Sequence, residues 1–289
     1  MVTRLFHQHE QNMTKTKTWA LLGAITFMVL PFHAQAQTSS NIFQLPDFKG
    51  GKAVWTIRAG IGFNNMVGSY KETQDRQWEY DKWDGDFKNS LGYDVTLGFS
   101  KSIGHHPLYW GMELGFMTRG YKTSASREYR STSSVTGGYD YHGKIQENRL
   151  TCHTVKFSPF TIGYRYTFCK RMAADVHLGA YASYDYVGSY KTDNTDHIIS
   201  SSKYGYRNDK KTTSTKTKIK DLDNMRKYDA GINVGVGYWF GKFNLDFSWQ
   251  RGFISIYEDG DEEVKIGKER LEKGNLFTNS FLLKLGYAF

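Results

Sequence analysis

The last ten residues of the chain, Ser280 to Phe289, alternate without a break. Phe281, Leu283, Leu285, Tyr287 and Phe289 fall on one face, and Ser280, Leu282, Lys284, Gly286 and Ala288 on the other. Successive side chains of a strand point to opposite faces, so this segment is a strand with one greasy face and one mostly small or polar face. A soluble fold has little use for an aromatic row running to the chain end. A transmembrane β-barrel does, because each strand shows one face to lipid and the other to the lumen. The aromatic row of Phe281, Leu283, Leu285, Tyr287 and Phe289 also resembles the C-terminal signal read by the barrel-assembly machinery of Gram-negative bacteria.

Seven further segments repeat the pattern. Trp55, Ile57, Ala59, Ile61 and Phe63 alternate with Thr56, Arg58, Gly60 and Gly62. Equivalent runs begin near Leu91, Leu108, Phe160, Ala174, Ala230 and Phe243. The alternation slips by one residue at Ser158-Pro159, which predicts a β-bulge. Short connections at 101–107, 169–172 and 241–242 alternate with long ones at about 65–89, 122–150, 188–228 and 258–275. Short periplasmic turns and long outer loops are the signature of an outer-membrane barrel. The expected fold is therefore all-β, an up-and-down antiparallel transmembrane barrel of eight strands over residues 53–289 with both termini periplasmic. A soluble barrel would turn the apolar face inward, leaving no reason for glycines and charges to share the opposite one.

The mean hydropathy of −0.58 is that of a polar protein, yet 16% of residues are aromatic. A barrel reconciles the two, since lumen residues and loops dilute the strand signal. Residues 1–36 read as a secretory signal peptide, with Lys15 and Lys17 before an apolar run from Trp19 to Leu30 and a small-x-small cleavage site at Ala34 and Ala36. Met13 is the natural start of that signal, and residues 37–52 follow as a short periplasmic segment. The whole chain carries a formal charge of +9. Removing Arg4, Lys15, Lys17 and Glu10 leaves 35 basic and 28 acidic residues, or +7. Cys152 and Cys169 would lie some tens of ångströms apart on one strand, beyond disulfide reach.

The polar faces gather Arg58, Asp94, Glu113, Arg165, Asp175, His177, Asp246 and Lys284. The interior of an eight-stranded barrel is just wide enough for side chains to fill it, and buried charges must be paired. The expectation is an internal ion-pair network that plugs the lumen; the competing reading is a narrow ion path. Aromatics at strand ends, namely Trp110, Phe168, Tyr238, Trp239, Phe240 and Phe243, are expected in the periplasmic girdle. An enzyme would need a nucleophile and a base in reach of one another. Ser183 lies about 20 Å along the strand from His177, and no G-x-S-x-G, H-E-x-x-H or P-loop is present. No catalytic residue, metal or cofactor is expected, and no nucleic-acid motif occurs. The segment 188–228 reads as a solvated surface loop. Its ten basic and five acidic residues over 191–227 give a second reading, contact with lipopolysaccharide phosphates.

Three stretches carry a family likeness: Ser158-Pro159-Phe160-Thr161-Ile162-Gly163-Tyr164-Arg165-Tyr166, Asn244-Leu245-Asp246-Phe247-Ser248-Trp249-Gln250-Arg251-Gly252-Phe253 and Leu285-Gly286-Tyr287-Ala288-Phe289. With the eight-strand layout they resemble the PorT-like outer-membrane β-barrel family. The resemblance itself implies the architecture and a place in secretion machinery. The residue pattern and the resemblance together give the expectation of a non-enzymatic, monomeric barrel in the Gram-negative outer membrane. Its partners would be membrane lipid and lipopolysaccharide, the barrel-assembly machinery, and envelope or secretion proteins. Its role would be an interaction scaffold presenting four long loops or a subunit of secretion machinery, with a small porin-like channel as the alternative and a lipid-modifying enzyme further off.

Overall fold

The computed structural model describes residues 42–48, 51–133, 138–202, 205–222, 224–257, 263–266, 269–272 and 274–289. The expected signal peptide, with Met13, Ala34 and Ala36, lies outside the described residues. No described helix is long and apolar enough to cross a membrane, and the architecture is all-β.

Eight antiparallel strands close into a ring: β1 (Val54–Val67), β3 (Ser90–Ser102), β4 (Leu108–Ser133), β5 (Gly138–Cys169), β6 (Met172–Ser202), β8 (Tyr228–Phe240), β9 (Phe243–Gly252) and β12 (Phe277–Ala288). Each pairs with the next, and β12 pairs back onto β1. Stepping from partner to partner starting at Val54 passes Ser100, Gly111, Thr161, Gly179, Asn233, Gln250 and Ser280. The path returns to β1 at Asn64, ten residues from its start. A stagger of this kind forces the strands to tilt, by roughly 35–45° in barrels of this class. Closure satisfies the backbone of every strand, which is the condition for crossing lipid.

The predicted faces are the observed ones. On β12, Leu285 is 61% exposed while Lys284 beside it is 1% exposed. Phe168, Tyr238, Phe240 and Phe243 are exposed at the end of the barrel with the short turns, as a lipid girdle requires. Trp239 differs: it is buried at 1% exposure. It sits one step out of phase with Tyr238 and Phe240, so its indole faces the lumen. The expected irregularity in β5 is present as a register shift between Phe157 and Phe160.

The long connections are more ordered than expected. The hairpin of β4 and β5 stays paired from Leu108↔Tyr164 to Ser133↔Gly138. A transmembrane strand needs about 10 residues, so roughly 15 residues of each strand project outward, about 50 Å. The expected solvated loop at 188–228 is mostly strand. The outer half of β6 pairs with β7 (Gly205–Lys218) from Ser189↔Lys218 to Ser202↔Gly205. Threonine favours the pleated conformation, and Thr195 hydrogen-bonds Thr212 across the pair at 3.0 Å. With both faces in water there was no apolar alternation to announce these strands. In the first outer connection, a helix α1 (Ser69–Tyr80) leads to β2 (Asp84–Lys88), which pairs with Lys122–Ser126 of β4. The result is an extracellular sheet ordered β2-β4-β5-β6-β7. A separate small hairpin, β10 (Glu263–Ile266) with β11 (Glu269–Glu272), occupies the last connection.

Candidate functional site

The eight charged residues read from the polar faces all line the lumen, and each has an ion partner there. Arg58 donates to Glu113 at 2.7 Å. Lys284 lies 3.2 Å from Asp246. His177 bridges two carboxylates, with Nδ1 3.2 Å from Asp175 and Nε2 3.5 Å from Asp246. Arg165 approaches Asp175 at 3.5 Å. The partner of Asp94 is Lys156, at 2.6 Å.

Lys156 is a member that the sequence reading missed. It precedes the bulge on β5, where the phase had already slipped. A second cluster was missed as well, at the outer end of the lumen. Arg119 donates from Nε and Nη2 to Asp185 at 2.5–2.9 Å, and its Nη1 lies 3.4 Å from Asp229. Thr154 donates to Asp185 at 2.6 Å and Thr278 to Asp229 at 2.7 Å. These residues sit at or past the strand ends that alternation defined. Inspection of polar residues one period further along each strand would have found them.

Among the described residues the lumen thus holds five fixed cations (Arg58, Arg119, Lys156, Arg165, Lys284), six carboxylates (Asp94, Glu113, Asp175, Asp185, Asp229, Asp246) and His177 between two of the latter. Near-balance of charge is what a low-dielectric interior demands. A cavity between Arg58, Glu113 and His177 measures only about 10 Å³, room for a single water at most.

Both ends are covered. On the periplasmic side, residues 42–48 fold across the mouth. Leu45 N–H bonds Lys170 O at 3.2 Å, and Lys242 N–H bonds Ile42 O at 2.9 Å. Leu45 and Phe48 pack on Val54, Ala173, Trp239 and Ala288. The Arg165 guanidinium lies 3.8 Å from the Phe48 ring centre, 4.3 Å from that of Tyr109 and 4.9 Å from that of Trp239. The indole of Trp239 and the hydroxyl of Tyr109 both donate to Asp175, at 2.5 and 3.1 Å. On the outer side, Met66, Trp78, Tyr121, Leu150, Ile219 and Leu276 belong to a hydrophobic cluster over the mouth. Tyr121 and Tyr257 share a hydroxyl–hydroxyl bond of 2.6 Å there.

The groups that could make a hydrolase do not converge. His177 is committed to Asp175 and Asp246, whereas Ser183 Oγ donates to the backbone oxygen of Asp229 at 3.5 Å. Among the described residues no cluster of three His, Cys, Asp or Glu side chains is placed to hold a metal ion. Cys152 is buried and Cys169 exposed, and both are free thiols.

A family profile described as an outer membrane protein beta-barrel domain matches residues 35–258. A comparison with curated proteins gave no significant match. Among solved structures, Ail, the attachment invasion locus protein of Yersinia pestis, is 13% identical, with 82% of this chain and 99% of that one covered and a TM-score of 0.27. Neisserial surface protein A is 12% identical over 82% and 99% of the two chains, TM-score 0.28. The outer membrane protease OmpT from Escherichia coli is 10% identical over 82% and 96%, TM-score 0.23.

Proposed function

The chain belongs to the outer membrane β-barrel domain family, and we propose that it acts as a closed, non-enzymatic scaffold whose working surface is the extracellular sheet. It is an integral protein of the Gram-negative outer membrane. The observation that carries the reading is the lumen, filled by interlocking ion pairs and covered at both mouths. Such a lumen offers neither a path for solutes nor a solvated nucleophile. What remains is a rigid platform with long projecting strands, the usual arrangement of binding surfaces on a stable frame.

The partners proposed are membrane lipid around the apolar band and the barrel-assembly machinery for the aromatic face of β12. Lipopolysaccharide phosphates are proposed for the exposed cations Lys210, Lys211 and Lys216 of β7. The likeness to the PorT-like family adds a finer reading, a monomeric barrel that serves as the membrane subunit of secretion machinery. Affinity capture from the native outer membrane, with and without the outer halves of β6 and β7 replaced by a short turn, tests the scaffold. Its partners should be lost with the outer strands while the barrel still folds. Co-purification of secretion proteins that is indifferent to that replacement would favour the machinery subunit and count against the extracellular platform.

A further inference from the structure

We propose that the extracellular cap carries a binding pocket for a neutral saccharide, formed where α1 and the turn after it lean over β4, β5 and β6. The proposal rests on the scaffold reading in one respect: the outer sheet must be the exposed, working face.

The pocket holds about 330 Å³, the lower end of small-ligand sites and room for a disaccharide at most. Two sides supply amides. Gln74 and Gln77 are three apart on α1 and share a face. Gln146 and Asn148 are two apart on β5 and also share a face. Between them the half-buried rings of Tyr70, Trp83 and Tyr190 reach the pocket, with Trp78 buried behind. A pyranose ring has a C–H face that stacks on an aromatic ring and an edge of hydroxyls that both donate and accept. An amide answers both hydroxyl roles with one side chain. Among the described residues no Lys or Arg lines the pocket and Asp81 is the one ionised group, so an anionic ligand is disfavoured. A purely apolar ligand would strand the amides without partners, at a cost for each.

The pocket is pre-organised, which matters because ordering side chains on binding erodes affinity. Asn148 is held on both atoms: its Nδ2 donates to Thr123 Oγ1 at 3.3 Å and its Oδ1 accepts from Thr192 Oγ1 at 2.9 Å. One amide hydrogen is left for a ligand. Trp83 is aimed by the end of α1. Lys82 adopts a left-handed conformation with φ 57°, and the N–H of Trp83 bonds the Trp78 carbonyl at 2.7 Å while that of Lys82 bonds Glu79. This is a Schellman cap with lysine where glycine is usual. Strain retained beside a pocket is a pointer to function. Trp78 lies flat on the backbone of Gly85, where a Cβ would run into the indole ring. Burial raises the hydroxyls of Tyr70 and Tyr190 above the ordinary phenol range, so both stay neutral donors.

The test uses the full chain refolded in an amine-oxide detergent, since sugar-headed detergents would compete. Maltose, cellobiose, lactose and chitobiose are titrated against tryptophan fluorescence and by calorimetry. At least one should bind saturably, and Trp83→Ala and Gln146→Ala should each weaken it about tenfold or more. Gly85→Ala, which displaces Trp78 without touching a ligand, should weaken it as well, and Lys211→Ala on β7 should not. If Trp83→Ala fails to show the heat-dependent gel shift of a folded barrel, Gln146→Ala on the sheet carries the test. No saturation by any of the four sugars, or affinity within twofold of wild type in Gln146→Ala, overturns the proposal. Sugar binding lost from a barrel that stays closed to ions removes the pocket alone. A conducting barrel that still binds sugar removes the closed scaffold alone.

Discussion

Replacing Lys156 with methionine keeps the length and most of the volume of the side chain and removes its charge. The ammonium lies 2.6 Å from Asp94 Oδ2, and the two side chains are 1% and 0% exposed. Asp94 would then be left in the lumen without its ion partner. Lys284, the other lumen lysine, is already engaged with Asp246. Removing one partner of a buried pair costs about 3–5 kcal/mol, mostly because the survivor stays uncompensated, whereas removing both charges is often close to neutral. Lys156→Met and Asp94→Leu should therefore each destabilise by about 3 kcal/mol or more. The double variant should lie within about 1 kcal/mol of wild type after repacking. The coupling energy would be several kcal/mol, well above that of a surface pair. Equilibrium urea unfolding in phosphatidylcholine vesicles, followed by tryptophan fluorescence, measures all four corners of the cycle. Single variants that each cost under about 0.5 kcal/mol and simply add in the double would show that the pair is solvated, and the dry, filled lumen would be wrong.

Three smaller predictions bear on the seam and the two covers. At Gly60 a Cβ would collide with the Leu283 carbonyl across the β1–β12 seam, so Gly60→Ala should cost about 3 kcal/mol or more; an unchanged urea midpoint would refute so close an approach. Lys82→Gly should relieve the left-handed strain and stabilise the outer cap by about 0.5–1 kcal/mol, read as slower amide exchange in α1; faster exchange would contradict it. Phe48→Ala removes the ring under Arg165 and against Trp239 and should cost about 2 kcal/mol. A change below about 0.5 kcal/mol would mean that residues 42–48 do not seal the periplasmic mouth.

The barrel was legible because lipid and lumen impose a strict two-residue period, and the charged side chains of each polar face are where that period puts them. Four features were hidden. Lys156 lies before the slip between Phe157 and Phe160, so extending the later half of the strand backwards gives the wrong face. Trp239 looks like a girdle residue because aromatics flank it, yet strict alternation with Tyr238 and Phe240 sends it inward to Asp175. The outer strands of β6 and β7 have water on both faces, so nothing apolar alternates. Likewise α1 buries only Trp78, too little for a helical stripe to be visible. The pocket depends on α1 and on the outer halves of β4, β5 and β6, and no sequence spacing brings Gln77 and Gln146 together.

The most direct test of the closed scaffold is single-channel recording of the purified full chain in planar bilayers. The interlocked pairs and the two covers predict a flat baseline with no reproducible conductance step at moderate voltage. A steady, unitary, ohmic conductance of the intact protein would mean that ions pass the Arg58–Glu113 and Lys156–Asp94 layers. The barrel would then be a pore, and its function would have to be sought in the lumen.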